Sequence, residues 1–186
     1  MEITTYYFQI TGRREGFTML ELALVLVIMG FIIIGITQGQ KLYYNAKINR
    51  IISDMKDYRH YFLLYYDTYG MYPGDEDDPN FPSGDTLNGN HNGLIDTAEA
   101  NNVWEDLFHA LGAVRKNSAV RGGQYIFGNR DFGFGIRNYI GVTNIINNMA
   151  QAIDKKYDDG VYNTGNIQAK TNYTNPEALN TLYWRI

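Results

Sequence analysis

The sequence predicts an α+β fold in which one long N-terminal helix, transmembrane in its first half and amphipathic in its second, packs on a small antiparallel sheet. Three observations predict it: a nearly uncharged apolar run over residues 17–36, a one-sided apolar stripe that continues it, and a C-terminal half of glycine-punctuated aromatic segments. The 186 residues leave room for one membrane segment and one modest domain. Nineteen glycines against four prolines, with sixteen tyrosines, point to glycine turns joining aromatic strands rather than to a helical bundle.

The first element is the apolar run FTMLELALVLVIMGFIIIGI, long enough to cross a bilayer core of about 30 Å as a helix. Arg13 and Arg14 precede it and the next basic residue is Lys41, so the positive-inside bias leaves the N-terminus cytoplasmic and exports the remainder. A secretory signal peptide has a similar basic-then-apolar order. However, no A-x-A-like site follows the run, and TQGQKLYYNAK beyond it continues in helical residues. Past residue 36 the apolar pattern narrows to Ile48, Ile51, Ile52, Met55, Tyr58, Arg59, Phe62, Tyr66 and Tyr69, which extends the same helix to about Tyr69. Gly30, Gly35 and Gly39 serve either as points where the helix loosens or as close-packing positions.

Gly70 and Pro73 close the helix, and an Asp/Asn/Gly/Pro-rich loop runs to Gly93. A second helix is expected over residues 97–111, with Val103, Trp104, Leu107, Phe108 and Leu111 on one face and Gly112 as its stop. GGQYIFG and FGFGIRNYIGV read as two strands. A third helix is expected over residues 144–157, capped by Thr143 and stopped by Asp158-Asp159-Gly160. The tail segments NIQAK and TLYWRI are expected to add an edge strand.

Glu21 interrupts the apolar run, where an ionised carboxylate costs roughly 2.5–3.5 kcal/mol at mid-membrane. Such a group calls for a partner, and none is expected within its own subunit; snorkelling to the cytoplasmic interface is the other reading. The string Arg-Arg-Glu-Gly-Phe-Thr-Met-Leu-Glu, followed by unbroken apolar residues, resembles the prepilin cleavage and methylation signature of type IV pilins and type II secretion pseudopilins. The resemblance implies a leader over residues 1–16, cleavage after Gly16 and N-methylation of Phe17 by a prepilin peptidase. It places the family's membrane-embedded glutamate on Glu21, where the Phe17 amine of a neighbouring subunit would neutralise it. It further implies a polymerisation helix over residues 17–39 and an exported pilin-like domain over residues 40–186, whose outer helix half is 40–69. The implied partners are copies of itself and other pilins, an inner-membrane assembly platform and membrane lipid. The implied location is the inner membrane for the single-pass precursor and a periplasmic or cell-surface filament for the mature form. The aromatic sixteen-residue leader departs from the short basic leaders common in the family, and the proline that many members carry in the first half of the helix is absent.

Residues 88–99, NGNHNGLIDTAE, fit the twelve-residue calcium loop of EF-hands at every key place but the first. Oxygen ligands fall on Asn88, Asn90, Asn92, Asp96 and Glu99, the backbone carbonyl of Leu94 takes the seventh place, and Gly93 makes the sharp turn at the sixth. Aspartate is usual where Asn88 stands, so with two ionised ligands the affinity belongs on the order of 10⁻⁴–10⁻³ M. Asp85 adds a further nearby carboxylate. A pair of Asn-Gly turns is the competing reading. Asp154, Asp158 and Asp159 form either a second cation site or a solvated Asx turn, and Asp75-Glu76-Asp77-Asp78 reads as a solvated loop.

Other classes find little support. A net charge of −4 opposes a sequence-independent phosphate binder, so nucleic acid is not expected as the primary ligand. No cysteine is present, which excludes disulfides and thiolate metal sites. His60, His91 and His109 fall in different elements and no serine sits in a nucleophile elbow, so no enzyme is expected. The rival to a filament subunit is a membrane-anchored, non-polymerising calcium-dependent adhesive or binding module.

Overall fold

The computed structural model describes residues 16–78, 81–84 and 86–186. The expected leader signals Arg13, Arg14 and Glu15, and also Asp85, lie outside the described residues. Seven elements follow in order: α1 (Met19–Tyr69), α2 (Asn102–Leu111), β1 (Tyr125–Asp131), β2 (Ile136–Ile146), α3 (Asn147–Tyr157), β3 (Ile167–Ala169) and β4 (Leu179–Arg185). The α+β class expected from the sequence holds. The chain divides into two compact units, one ending at Tyr43 and the other Tyr44–Ile186.

In the first unit the side chains from Phe17 to Ile36 are exposed, and this part of α1 is long and apolar enough to cross a membrane. In the second unit α1 buries Ile48, Ile51, Ile52, Met55, Tyr58, Phe62 and Tyr65, steps of three and four that keep one face inward. The expected stripe is corrected at its end: Tyr65 is core, whereas Tyr66 is exposed and stacks on Tyr72. Asp54 is buried within this stripe. It is satisfied by Lys116 Nζ at 3.1 Å and by the Tyr125 hydroxyl, which donates at 2.8 Å. Gly70, at φ +76°, ends the helix as expected.

The sheet order is β1-β2-β4-β3, antiparallel throughout. TLYWRI therefore forms an interior strand, and of the two tail segments NIQAK alone, as β3, lies at an edge of the sheet, opposite the β1 edge, a correction to the expected tail. Tyr125, Phe127, Ile140, Val142, Ile145, Leu182, Ile167 and Ala169 form the sheet's share of the core.

Two helix starts also move. α2 begins at Asn102, and residues 97–101 are turns before it; its face is Val103 and Leu107, while Phe108 is exposed. Gly112 stops α2 in the left-handed region, its N–H on the Phe108 carbonyl and that of Ala113 on Leu107. α3 begins at Asn147, because Ile145 and Ile146 extend β2 and pair with Asn180 and Leu179. The register shift between Val142 and Ile145 contains Asn144 at φ +54°, a bulge. Thr143 caps no helix; its hydroxyl oxygen accepts the Gln124 N–H at 3.0 Å.

Candidate metal-binding loop and N-terminal helix

The loop over residues 88–99 is stitched to two other parts of the domain. Glu99, buried in the turn before α2, accepts the backbone N–H groups of Asn90 at 3.0 Å and Asp96 at 2.8 Å. Asp75, from the segment after α1, accepts those of Asn92 at 2.9 Å and Gly93 at 2.7 Å. Four backbone donors at the loop's centre are thus held by two buried carboxylates, which is the charge-assisted form of the bond. Asp75 and Glu76 are buried, correcting the reading of 75–78 as a solvated run; Asp77 and Asp78 remain exposed.

From the sheet, Asn138 accepts the Ile95 N–H at 2.8 Å and donates to the Gly93 carbonyl at 3.1 Å. Its cross-strand partner Asn129 donates to the Ile95 carbonyl at 3.1 Å and to Asp96 Oδ1 at 2.8 Å. Sequence reasoning missed Asp75, Asn129 and Asn138. Asn138 carried a signal, because strand alternation puts it on the face of Ile140 and Val142, where a polar group needs a partner.

The expected ligands are only partly brought together. Asn90 and Asn92 each make an Asx turn, their side-chain oxygens accepting the N–H groups of Asn92 at 3.1 Å and Leu94 at 2.8 Å. Their amide groups both point to Asp96 Oδ2, at 3.3 Å and 3.4 Å, so the third, fifth and ninth places converge. Gly93 takes φ +85° at the sixth, the sharp turn such a loop needs. Asn88, exposed, is tied through its carbonyl to Asn102 Nδ2 at 3.1 Å. Glu99 does not open a helix, and both its oxygens already accept N–H groups; a carboxylate oxygen keeps a second lone pair, so each remains able to share a cation. Asn90 and Asn92 thus turn their amide N–H groups to Asp96 while their oxygens serve the backbone, and Glu99 braces the loop behind them. Burial lifts the Glu99 carboxyl above the ordinary carboxylate range, against the pull of the Asp96 N–H, and the nearby charge of Asp75 adds to the lift.

Asp154, Asp158 and Asp159 come within 4.8 Å of one another. Asp154 accepts the Tyr173 hydroxyl at 2.8 Å and the Gly160 N–H at 3.1 Å. Asp158 accepts the Ile167 N–H at 2.6 Å, and Asp159 accepts the Val161 N–H at 2.8 Å. These bonds are those of a tied-down turn.

At the other end of the chain, Thr18 and Glu21 form a capping box. Glu21 Oε2 accepts the Thr18 N–H at 2.8 Å and its hydroxyl at 3.0 Å, and Thr18 Oγ1 accepts the Glu21 N–H at 3.2 Å. The expectation that Glu21 lacks a partner in its own subunit is thereby corrected: the carboxylate starts the helix it belongs to. Gly16 and Phe17 are exposed just ahead of the cap. A search of family models, curated proteins and solved structures finds nothing that matches this chain.

Proposed function

We propose that the chain is a structural subunit of a type IV pilus-like filament or type II secretion pseudopilus, without catalytic activity. In this reading it is processed after Gly16 and assembled through α1. The observation that supports it is the contrast along α1: residues 17–36 bury none of their large apolar side chains, whereas from Ile48 onward the same helix supplies the core of a folded unit. An apolar helix surface of that length needs lipid or copies of itself. The cleavage-type sequence directly before the helix, with Glu21 in the fifth place after Gly16, makes copies the better answer. A peptidase, an assembly platform in the inner membrane and other pilins complete the proposed partners. The loop over residues 88–99 is proposed to bind calcium through Asn90, Asn92, Asp96 and the Leu94 carbonyl, with Asn88 and Glu99 at its ends. A bound cation there would neutralise carboxylates and stiffen the loop.

Intact-mass measurement of the membrane-extracted protein tests the reading. A mature chain beginning at N-methyl-Phe17 is expected, and Gly16→Ala should slow or block its formation. Uncut chain in wild-type cells would remove the filament reading in favour of a tethered module.

A further inference from the structure

The outer face of the sheet carries a groove that the filament reading does not use. Direct cross-strand partners share a face, and the pairs Gly128↔Tyr139 and Gly141↔Tyr183 put both tyrosines opposite the core. Each ring lies against a glycine. A Cβ on Gly128 would stand 2.7 Å from Tyr139 Oη, and one on Gly141 would meet Tyr183 Cδ1 at 3.3 Å. Two cavities open side by side here. One, of about 300 Å³, is lined by Asn129, Arg130, Asp131, Tyr139, Lys170 and Tyr183. The other, of about 290 Å³, shares Asn129 and Tyr139 and reaches Asp96 and Thr97 of the loop.

The basic side chains of the groove are gathered in the first cavity, where Arg130 and Lys170 stand beside Asp131, whereas Asp96 lines the second. Arg130 stacks on Tyr183, its guanidinium carbon 4.4 Å from the ring centre, and Lys170 is exposed at the edge. Among the described residues neither cation has a carboxylate within 4.0 Å. The one acid lining the same cavity, Asp131, accepts the N–H groups of Gly133 at 2.7 Å and Gly135 at 3.3 Å and so belongs to the hairpin turn.

We infer that this groove binds an anionic polysaccharide through the carboxylates of its sugar units. Two adjoining cavities of this size suit successive pyranose rings, and Arg130 and Lys170 offer donors for carboxylates. The tyrosine planes differ by 69°, each ring lies over the glycine of the neighbouring strand, and Arg130 occupies one face of Tyr183. The two rings therefore leave no flat platform for stacked nucleobases. The face lies opposite the α1 side of the sheet, and the inference does not rest on polymerisation.

The test uses the full chain in non-ionic detergent and fluorescently labelled hexagalacturonate, with neutral maltohexaose and a thymidine hexanucleotide as comparison probes. Saturable binding of the uronate is expected, with maltohexaose much weaker. Lys170→Ala, an exposed change that leaves the fold intact, and Arg130→Ala should each weaken it roughly tenfold or more. Gly128→Ala, which pushes the Tyr139 ring from its seat with both charges present, should weaken it as well, while Arg121→Ala outside the groove should not. Lys170→Ala binding as wild type, equal affinity for maltohexaose, or tighter Lys170-dependent binding of the hexanucleotide would each overturn the inference.

Discussion

The carboxylate of Asp75 stands 2.7 Å from the N–H of Gly93, so a residue just after the long helix holds the sharpest turn of a loop eighteen positions away. Because Asp75 is buried and also accepts the Asn92 N–H, its truncation leaves two donors stranded. Asp75→Ala is expected to cost about 2–4 kcal/mol, and Asp75→Asn, which retains one acceptor oxygen, about half as much. Thermal melts of the full chain in detergent check this; unchanged midpoints for both variants would show that the loop holds without the carboxylate.

Calcium should raise the melting midpoint by a few degrees, since binding to the folded state alone contributes about 1.4 kcal/mol at ten times Kd. Magnesium should do less, because its small octahedral shell suits this loop poorly. Asp96→Asn should abolish most of the shift by removing the carboxylate on which Asn90 and Asn92 converge. Asn88→Asp should enlarge it. Identical midpoints with chelator and with several millimolar calcium, a range set by the expected 10⁻⁴–10⁻³ M affinity, would leave a pair of carboxylate-braced turns.

Glu21 has two roles that separate experimentally. Glu21→Gln keeps an oxygen for the Thr18 N–H but removes the charge that would pair with a neighbour's terminal amine, so filament assembly should fail while the helix still starts. Thr18→Ala loses the cap, at about 1 kcal/mol, and should still assemble. Filament counts by electron microscopy decide between them; the opposite pattern would make the cap, and not the charge, the functional element.

Asp154 is buried, and burial lifts its carboxyl above the ordinary aspartate range. The fold therefore favours the protonated form, so its contribution is present below a pH of about 4 and is lost as pH rises through the folded value. Asp154→Asn holds the site neutral. Its midpoint relative to wild type should improve as pH rises from about 4 through the folded value and then level off, and parallel profiles would contradict the assignment.

Local pattern made most of the elements legible. The spacing of Ile48, Ile51, Ile52, Met55 and Tyr58 announced the inner face of α1, Gly70 and Gly112 announced two helix ends, and the aromatic runs announced β1 and β2. Periodicity failed where two patterns overlap: Ile145 and Ile146 suit a strand and a helix alike, and pairing with β4 assigned them to the strand.

What the sequence by itself determined is the α+β class, the membrane-length apolar segment and the turn-forming places of the 88–99 loop, because each follows from neighbours a few residues apart. Tertiary structure alone decided that β4 is interior, that Asp75 is a buried acceptor and not part of a solvated run, and that Asn129 and Asn138 grip the loop. The physical reason is that a buried carboxylate or amide is defined by the donors that reach it. For Asp75, Asn129 and Asn138 those partners lie from 17 to 45 residues away along the chain.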